Sequence, residues 1–298
     1  MQKDKLRSLI TLHFLVVIWG FTSILGALIS LDSYSIVWYR MVLAVVIIFI
    51  YFILFSKESL IVNKLSLLYF FSGGLLITIH WILFFHAIKI SSISITVSML
   101  STGAFMTSII EPIIYKKKVL LYEFLLGLLV IIGVFIIFDS EKESIYGIIT
   151  GLFSAFFSVL FTLLNSNLIN IKKYKPNTTS FYELFFGSII LSLWMSYNQM
   201  FHDDFFNLNN LDMLWLFILS SVCTAYAFIY SIKVMKHISP YTLMISWNLE
   251  PVYAIILSLI IFKEKEILSS NFYIGVSIII ISVFLNGFFK YNYTYNKK

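Results

Sequence analysis

Residues 238–265 read ISPYTLMISWNLEPVYAIILSLIIFKEK, an apolar run interrupted once, at Asn248, Glu250 and Pro251, and closed by Lys263 and Lys265. An apolar helix of about 20 residues crosses the hydrocarbon core of a bilayer. Residues 90–117, ISSISITVSMLSTGAFMTSIIEPIIYKK, are built the same way. Shifting residues 90–132 by 148 positions onto 238–280 aligns 10 identical residues out of 43 with no gap. Ile and Leu matches are cheap in so apolar a chain. Ser91/Ser239, Ser98/Ser246, Lys117/Lys265 and Gly127/Gly275 are the informative ones.

Reading outward from these two stretches gives ten apolar segments: about 8–30, 35–56, 65–88, 93–115, 120–138, 145–169, 178–199, 213–235, 241–262 and 269–289. Each is long enough to span a membrane as a helix. The runs lack the period-2 alternation of transmembrane strands. Of the 298 residues, 60% are hydrophobic and 12% charged, against about 25% charged in a soluble domain. The expected fold is therefore an all-α integral membrane protein. The polar stretches around Asn198–Asp212 and Asn170–Thr179 are too short to fold alone. The first apolar run, although preceded by Lys3, Lys5 and Arg7, is too long for a signal peptide and reads as a span.

Lysine and arginine placement orients the chain. With the N-terminus in the cytoplasm, the inner segments hold Lys3, Lys5, Arg7, Lys57, Lys64, Lys116, Lys117, Lys118, Lys172, Lys173, Lys175, Lys233, Lys236, Lys290, Lys297 and Lys298, which is 16 positive charges. The outer loops hold 4: Lys89, Lys142, Lys263 and Lys265. Both termini are expected in the cytoplasm of a cell or inner membrane. The chain then divides into 1–138, 145–289 and a cytoplasmic tail, 290–298. A repeat of five spans is odd, so the second copy must be inverted relative to the first. Inverted repeats are an architecture of secondary transporters, with substrate held between the halves.

Short motifs sharpen this. Trp19-Gly20 lies in the first span, Trp38-Tyr39-Arg40 opens the second, and Ala87-Ile88 precedes the fourth. Leu249-Glu250-Pro251-Val252 lies in the ninth, followed by Phe262-Lys263-Glu264-Lys265. On these residues the chain resembles the EamA family of the drug/metabolite transporter superfamily, over essentially its whole length. The resemblance implies ten spans in two halves and gradient-driven export or exchange of small metabolites such as amino acids. Two departures stand out. Lys263-Glu264 replaces the family's Gly-Glu, and Ser101-Thr102-Gly103 replaces a proline motif in span four, with Glu111-Pro112 further on.

Polar groups inside lipid are costly, so each needs a reason. Glu250 sits midway along span nine, and Pro251 beside it weakens the helix and frees a carbonyl. A carboxyl there suits a cation, a proton or a substrate ammonium; the plainer reading is a protonated Glu bonded to a neighbouring helix. Asn248 and Trp247 can orient a small ligand or serve as interhelical glue. Arg40 can take a substrate carboxylate bidentately or snorkel to the outer interface. Glu183 occupies the equivalent place in span seven, but inversion puts it at a different depth. His80 and Trp81 lie in span three and His86 nearer its end. Tyr226 and Tyr230, at i and i+4, share a face of span eight and are expected across from Glu250. Thr102, with Ser98 and Ser101, matches the middle of span nine, and Trp19 lies in span one. The expected cavity is bounded by spans one, three, four, six, eight and nine.

Other classes fit less well. Cys223 is the lone cysteine, which excludes an internal disulfide and a Cys-based metal cluster. No cofactor or metal is expected, and no Gly-rich phosphate loop points to an ATPase. The net charge of +6 is scattered, not a nucleic-acid face. The expected partners are a small-molecule substrate, lipid and a coupling proton. A lipid-modifying enzyme would need His or acidic residues clustered at a membrane face, and a channel has less need of an inverted repeat.

Overall fold

The computed structural model describes residues 2–55, 60–116, 121–247, 249–262 and 268–295. Among these, every regular element is helical: α1 (Gln2–Leu28), α2 (Ser33–Phe55), α3 (Lys64–Ile90), α4 (Ile93–Leu100), α5 (Gly103–Tyr115) and α6 (Leu121–Ser140). α7 (Ile145–Asn170), α8 (Pro176–Tyr197), α9 (Asn210–Ser220), α10 (Ala227–Val234), α11 (Pro240–Trp247), α12 (Glu250–Phe262) and α13 (Ser270–Tyr295) follow. Local chemistry sets the starts. Asn63, Ser92 and Asn209 cap α3, α4 and α9 by accepting from backbone N–H groups of the first turn. Asp32 does the same for α2, accepting from Tyr34 N at 2.8 Å. Proline opens α8 and α11, where its missing N–H costs nothing.

Two apolar passages are broken, and in the same way. α4 and α5 bend after Leu100, α11 and α12 after Trp247. The pieces are 8 and 13 residues long in both passages. Their starts lie 147 positions apart, 93 against 240 and 103 against 250, within one residue of the sequence register. The causes differ. At the first break Thr102 Oγ1 donates back to Met99 O at 2.6 Å, and Gly103 follows. At the second, Pro251 lacks the N–H that would bond to Trp247 O. A third irregularity has no proline or glycine: Ser221–Tyr226 forms a π-helical turn between α9 and α10.

Helices at matching places run antiparallel to one another. α2 meets α8 with Trp38 Nε1 donating to Ser192 Oγ at 2.8 Å and, further along α2 but earlier in α8, Phe49 beside Phe181. α4–α5 meets α12–α11 through Ser94 against Ser258 and Gly103 against Met244. α6 and α13 cross with Gly133 against Ile279 and Gly275 against Ile137. α1 presses on α12 at Gly20, where a Cβ would lie 2.9 Å from Tyr253 Cβ and 3.5 Å from Glu250 O. That close approach is the physical content of the Trp19-Gly20 motif.

This is a multi-pass membrane protein. Among the described residues, six stretches are long and apolar enough to cross a bilayer: Asp4–Leu28, Ser33–Phe55, Lys64–Ile90, Ile93–Tyr115, Ile145–Asn170 and Asn210–Val234. Leu125–Ser140, Glu250–Phe262 and Ser270–Ser282 are apolar but shorter. Six of the ten expected spans thus stand on length and composition among the described residues. α8 belongs to neither group because its first turns carry Asn177, Thr178, Thr179, Ser180 and Glu183. All five are buried, so they face protein and escape the penalty of lipid. Apolar side chains such as Ile53, Phe55, Phe135 and Leu193 face outward instead.

Candidate functional site

A cavity of about 90 Å³ lies in the middle of the bundle. α1 supplies Trp19 and Thr22, α2 Arg40, α3 Ile77, His80, Trp81 and Phe84, and α4 Leu100. The other half supplies Ser158 and Phe161 from α7, Cys223 from the π-turn, Phe228 and Ser231 from α10, Met244 and Trp247 from α11, and Glu250 from α12. All six expected spans contribute, and α2 joins them through Arg40.

Arg40 is 2% exposed, which corrects the snorkelling reading. Its guanidinium carbon sits 3.6 Å from the centroid of Trp81, a cation–π contact. Arg40 Nε donates to Thr224 Oγ1 at 2.6 Å and its Nη2 to Cys223 O at 3.3 Å. Both acceptors belong to the π-turn. Such turns leave carbonyls out of the α-ladder, and they recur at functional sites. Thr224 Oγ1 itself donates to Leu219 O at 2.7 Å, across the widened turn. Among the described residues these contacts use two of the five guanidinium N–H donors, so the remaining face is available to an anion.

Glu250 opens α12 at the break, beside Pro251. It lines the same cavity as Arg40, yet among the described residues no hydrogen bond or ion pair fills its carboxyl. Trp247 stands edge-on to Trp19, ring centroids 5.2 Å apart, and among the described residues its buried Nε1 has no partner. His80 Nδ1 lies 2.9 Å from both Ser154 O and Ser154 Oγ, which ties α3 to α7. The cavity thus presents a cation, a carboxyl, an unused indole N–H and aromatic walls.

Not every expected residue comes here. Tyr226 and Tyr230 lie against each other, ring centroids 4.5 Å apart and tilted by 34°, and both are exposed. Neither lines the cavity that holds Glu250, where they were expected. Thr102 is buried at its own helix break and does not line the cavity. His86 is exposed, Asn248 lies outside the described residues, and Glu183 is buried elsewhere, in the contact of α3 with α8. Sequence reasoning missed Thr22, Ser158, Ser231, Cys223 and Thr224. Only the hydroxyls of Thr22, Ser158, Ser231 and Thr224 and the thiol of Cys223 inside apolar spans were a signal.

The EamA-like transporter family matches residues 6–139 and again residues 145–288. The chain belongs to the EamA-like transporter family. The two matches divide this EamA-like chain in the short segment between α6 and α7, and they accord with the drug/metabolite transporter superfamily. No curated protein matches it. A solved structure titled only "Crystal structure of protein" shares its fold, with a TM-score of 0.67 over 94% of this chain and 96% of that one. At 11% identity that likeness concerns the EamA-like fold alone.

Proposed function

We propose that this EamA-like chain is a secondary transporter of a small zwitterionic metabolite, of the amino-acid type, working by alternating access in the direction of export. The observation that carries the reading is one cavity holding both Arg40 and Glu250. The free donors of Arg40 take the substrate carboxylate, and Glu250 takes its ammonium. Trp19, Trp81 and Trp247 enclose the part between. A proton competes with the ammonium for the Glu250 carboxyl, which ties transport to a proton gradient.

Ten spans in two inverted five-helix halves, 1–138 and 145–289, give the movement. The antiparallel pairing of α2 with α8, α4–α5 with α12–α11, and α6 with α13 supports that relation. The excess of lysine in alternate loops supports a cell or inner membrane location with both termini in the cytoplasm. A second hollow, lined by Glu111, Tyr115, Asn170, Lys236 and His237, lies toward the lysine-rich side. An apolar cluster of Ala104, Val159, Leu163 and Met244 packs against Trp247 of the cavity and Tyr115 of the hollow. It is the barrier that must part for release to that side.

The test is uptake and efflux of a labelled amino-acid mixture in proteoliposomes, with and without an imposed proton gradient. Flux above protein-free vesicles, lost in Arg40→Gln, is the expected result. No flux of any amino acid in either direction from correctly folded protein ends the zwitterion reading.

A further inference from the structure

Glu183 is wholly buried and takes no part in the central cavity. It is the eighth residue of α8, as Arg40 is the eighth of α2. Its Oε1 accepts from Asn165 Nδ2 of α7 at 3.0 Å, while among the described residues its Oε2 has no partner. Asn165 Nδ2 also donates to Phe161 O at 3.3 Å, and Asn165 Oδ1 has no partner either. Two buried acceptor oxygens on adjoining side chains are therefore short of a donor, a costly arrangement. The wall opposite is bare backbone: a Cβ on Gly73 of α3 would lie 2.1 Å from Glu183 Oε1, and one on Gly74 2.5 Å from Glu183 O.

The charged and titratable groups of the surrounding helices are engaged elsewhere. Arg40 of α2 bonds to Thr224 and Cys223, and His80 of α3 to Ser154. Lys233 of α10 lies over Tyr230, and Tyr182 of α8 donates to Leu60 O. α7 brings only Asn165 to the carboxyl, and α3 only glycine. An ionised carboxylate so placed would be an uncompensated buried charge. A proton supplies the missing donor. A metal ion is the poorer fit, because only three side-chain oxygens converge and sodium- or calcium-sized ions take about six or more oxygens.

We propose that the Glu183–Asn165 pair is a buried proton-binding site, separate from the central cavity, whose proton enters and leaves only when α3 and α8 part. The closed packing holds the neutral acid, and separation lets water in and the proton out. Protonation and the opening of that contact are thereby the same equilibrium. Its use in coupling rests on the transporter reading; the site itself does not.

The experiment is infrared titration of the full-length protein in lipid nanodiscs from acid to alkaline pH. The expected result, in the Glu250→Gln background, is a protonated-carboxyl band that declines as pH rises and is missing once Glu183→Gln is added. A titrating band that survives Glu183→Gln in the Glu250→Gln background, or one there that never changes with pH, overturns the proposal. So does loss of the band on adding sodium chloride but not choline chloride at fixed pH, which marks a cation site. If Glu183→Gln does not assemble, Asn165→Leu keeps the carboxyl, and the band must change frequency; an unchanged band overturns the proposal. A protein with the titrating band that moves no amino acid keeps the site and removes the transporter reading.

Discussion

Arg40 and Glu183 hold the same place in the two halves, and the halves treat them oppositely. Arg40 faces α9–α10, whose π-turn offers it Thr224 Oγ1 and Cys223 O and leaves a hollow beside it. Glu183 faces α3, which runs unbroken and lays Gly73 and Gly74 against it with no room for water. α3 and α9–α10 are themselves the third passages of their halves. One passage is widened and the other smooth, so one buried ionisable side chain opens onto a cavity and the other is sealed. On the proposed readings, two matching places in the repeats then serve one solute site and one proton site.

The largest break in this comparison should come from Arg40→Lys. The ammonium keeps the charge but loses the fork, the Trp81 stacking and one π-turn contact. Charge-assisted hydrogen bonds contribute about 1.5–3 kcal/mol each, so amino-acid flux should fall roughly 10- to 100-fold with the protein still folded. Proteoliposome flux measures it, and near-normal transport would show that Arg40 only fastens α2 to α9–α10.

Glu250→Gln should come next. Flux is expected to drop about 10-fold, the cost of one charge-assisted contact, and to lose its response to an imposed pH gradient. Retained gradient dependence would move coupling entirely to Glu183. The two cavity predictions rest on different kinds of legibility. Glu250 was readable because a carboxyl beside proline in an apolar span is expensive. Arg40 was ambiguous, since five residues from a span end is within snorkelling distance of water, and only its seat on Trp81 resolves it.

Gly73→Ala sharpens the sealed side. The added methyl must displace Glu183 or part α3 from α8, so melting in detergent should show a loss of about 1–3 kcal/mol, the usual cost of overpacking. An unshifted melting curve would mean that the α3–α8 contact is loose. The smallest effect belongs to Tyr226→Phe and Tyr230→Phe. These side chains lie on the outside of the bundle, so stability should stay within about 0.5 kcal/mol and flux should be unchanged. A large loss of flux would return them to the pathway.

The sequence by itself determined that the chain crosses a membrane repeatedly and that residues near 90–132 and 238–280 are built alike. It also marked one helix break, because Pro251 acts on its own backbone; the break at Thr102-Gly103 appeared only in the structure. These are local properties, carried by each residue's cost in lipid or in a helix. Tertiary structure alone decided which faces meet. In apolar helices the side toward lipid and the side toward protein have the same chemistry, so no periodicity marks them. The π-turn at Ser221–Tyr226 carries no proline or glycine, yet it turns Tyr226 and Tyr230 outward and Thr224 toward Arg40. It takes the packing of α2 against that turn, and of α8 against bare α3, to open one buried ionisable side chain onto the cavity and close off the other.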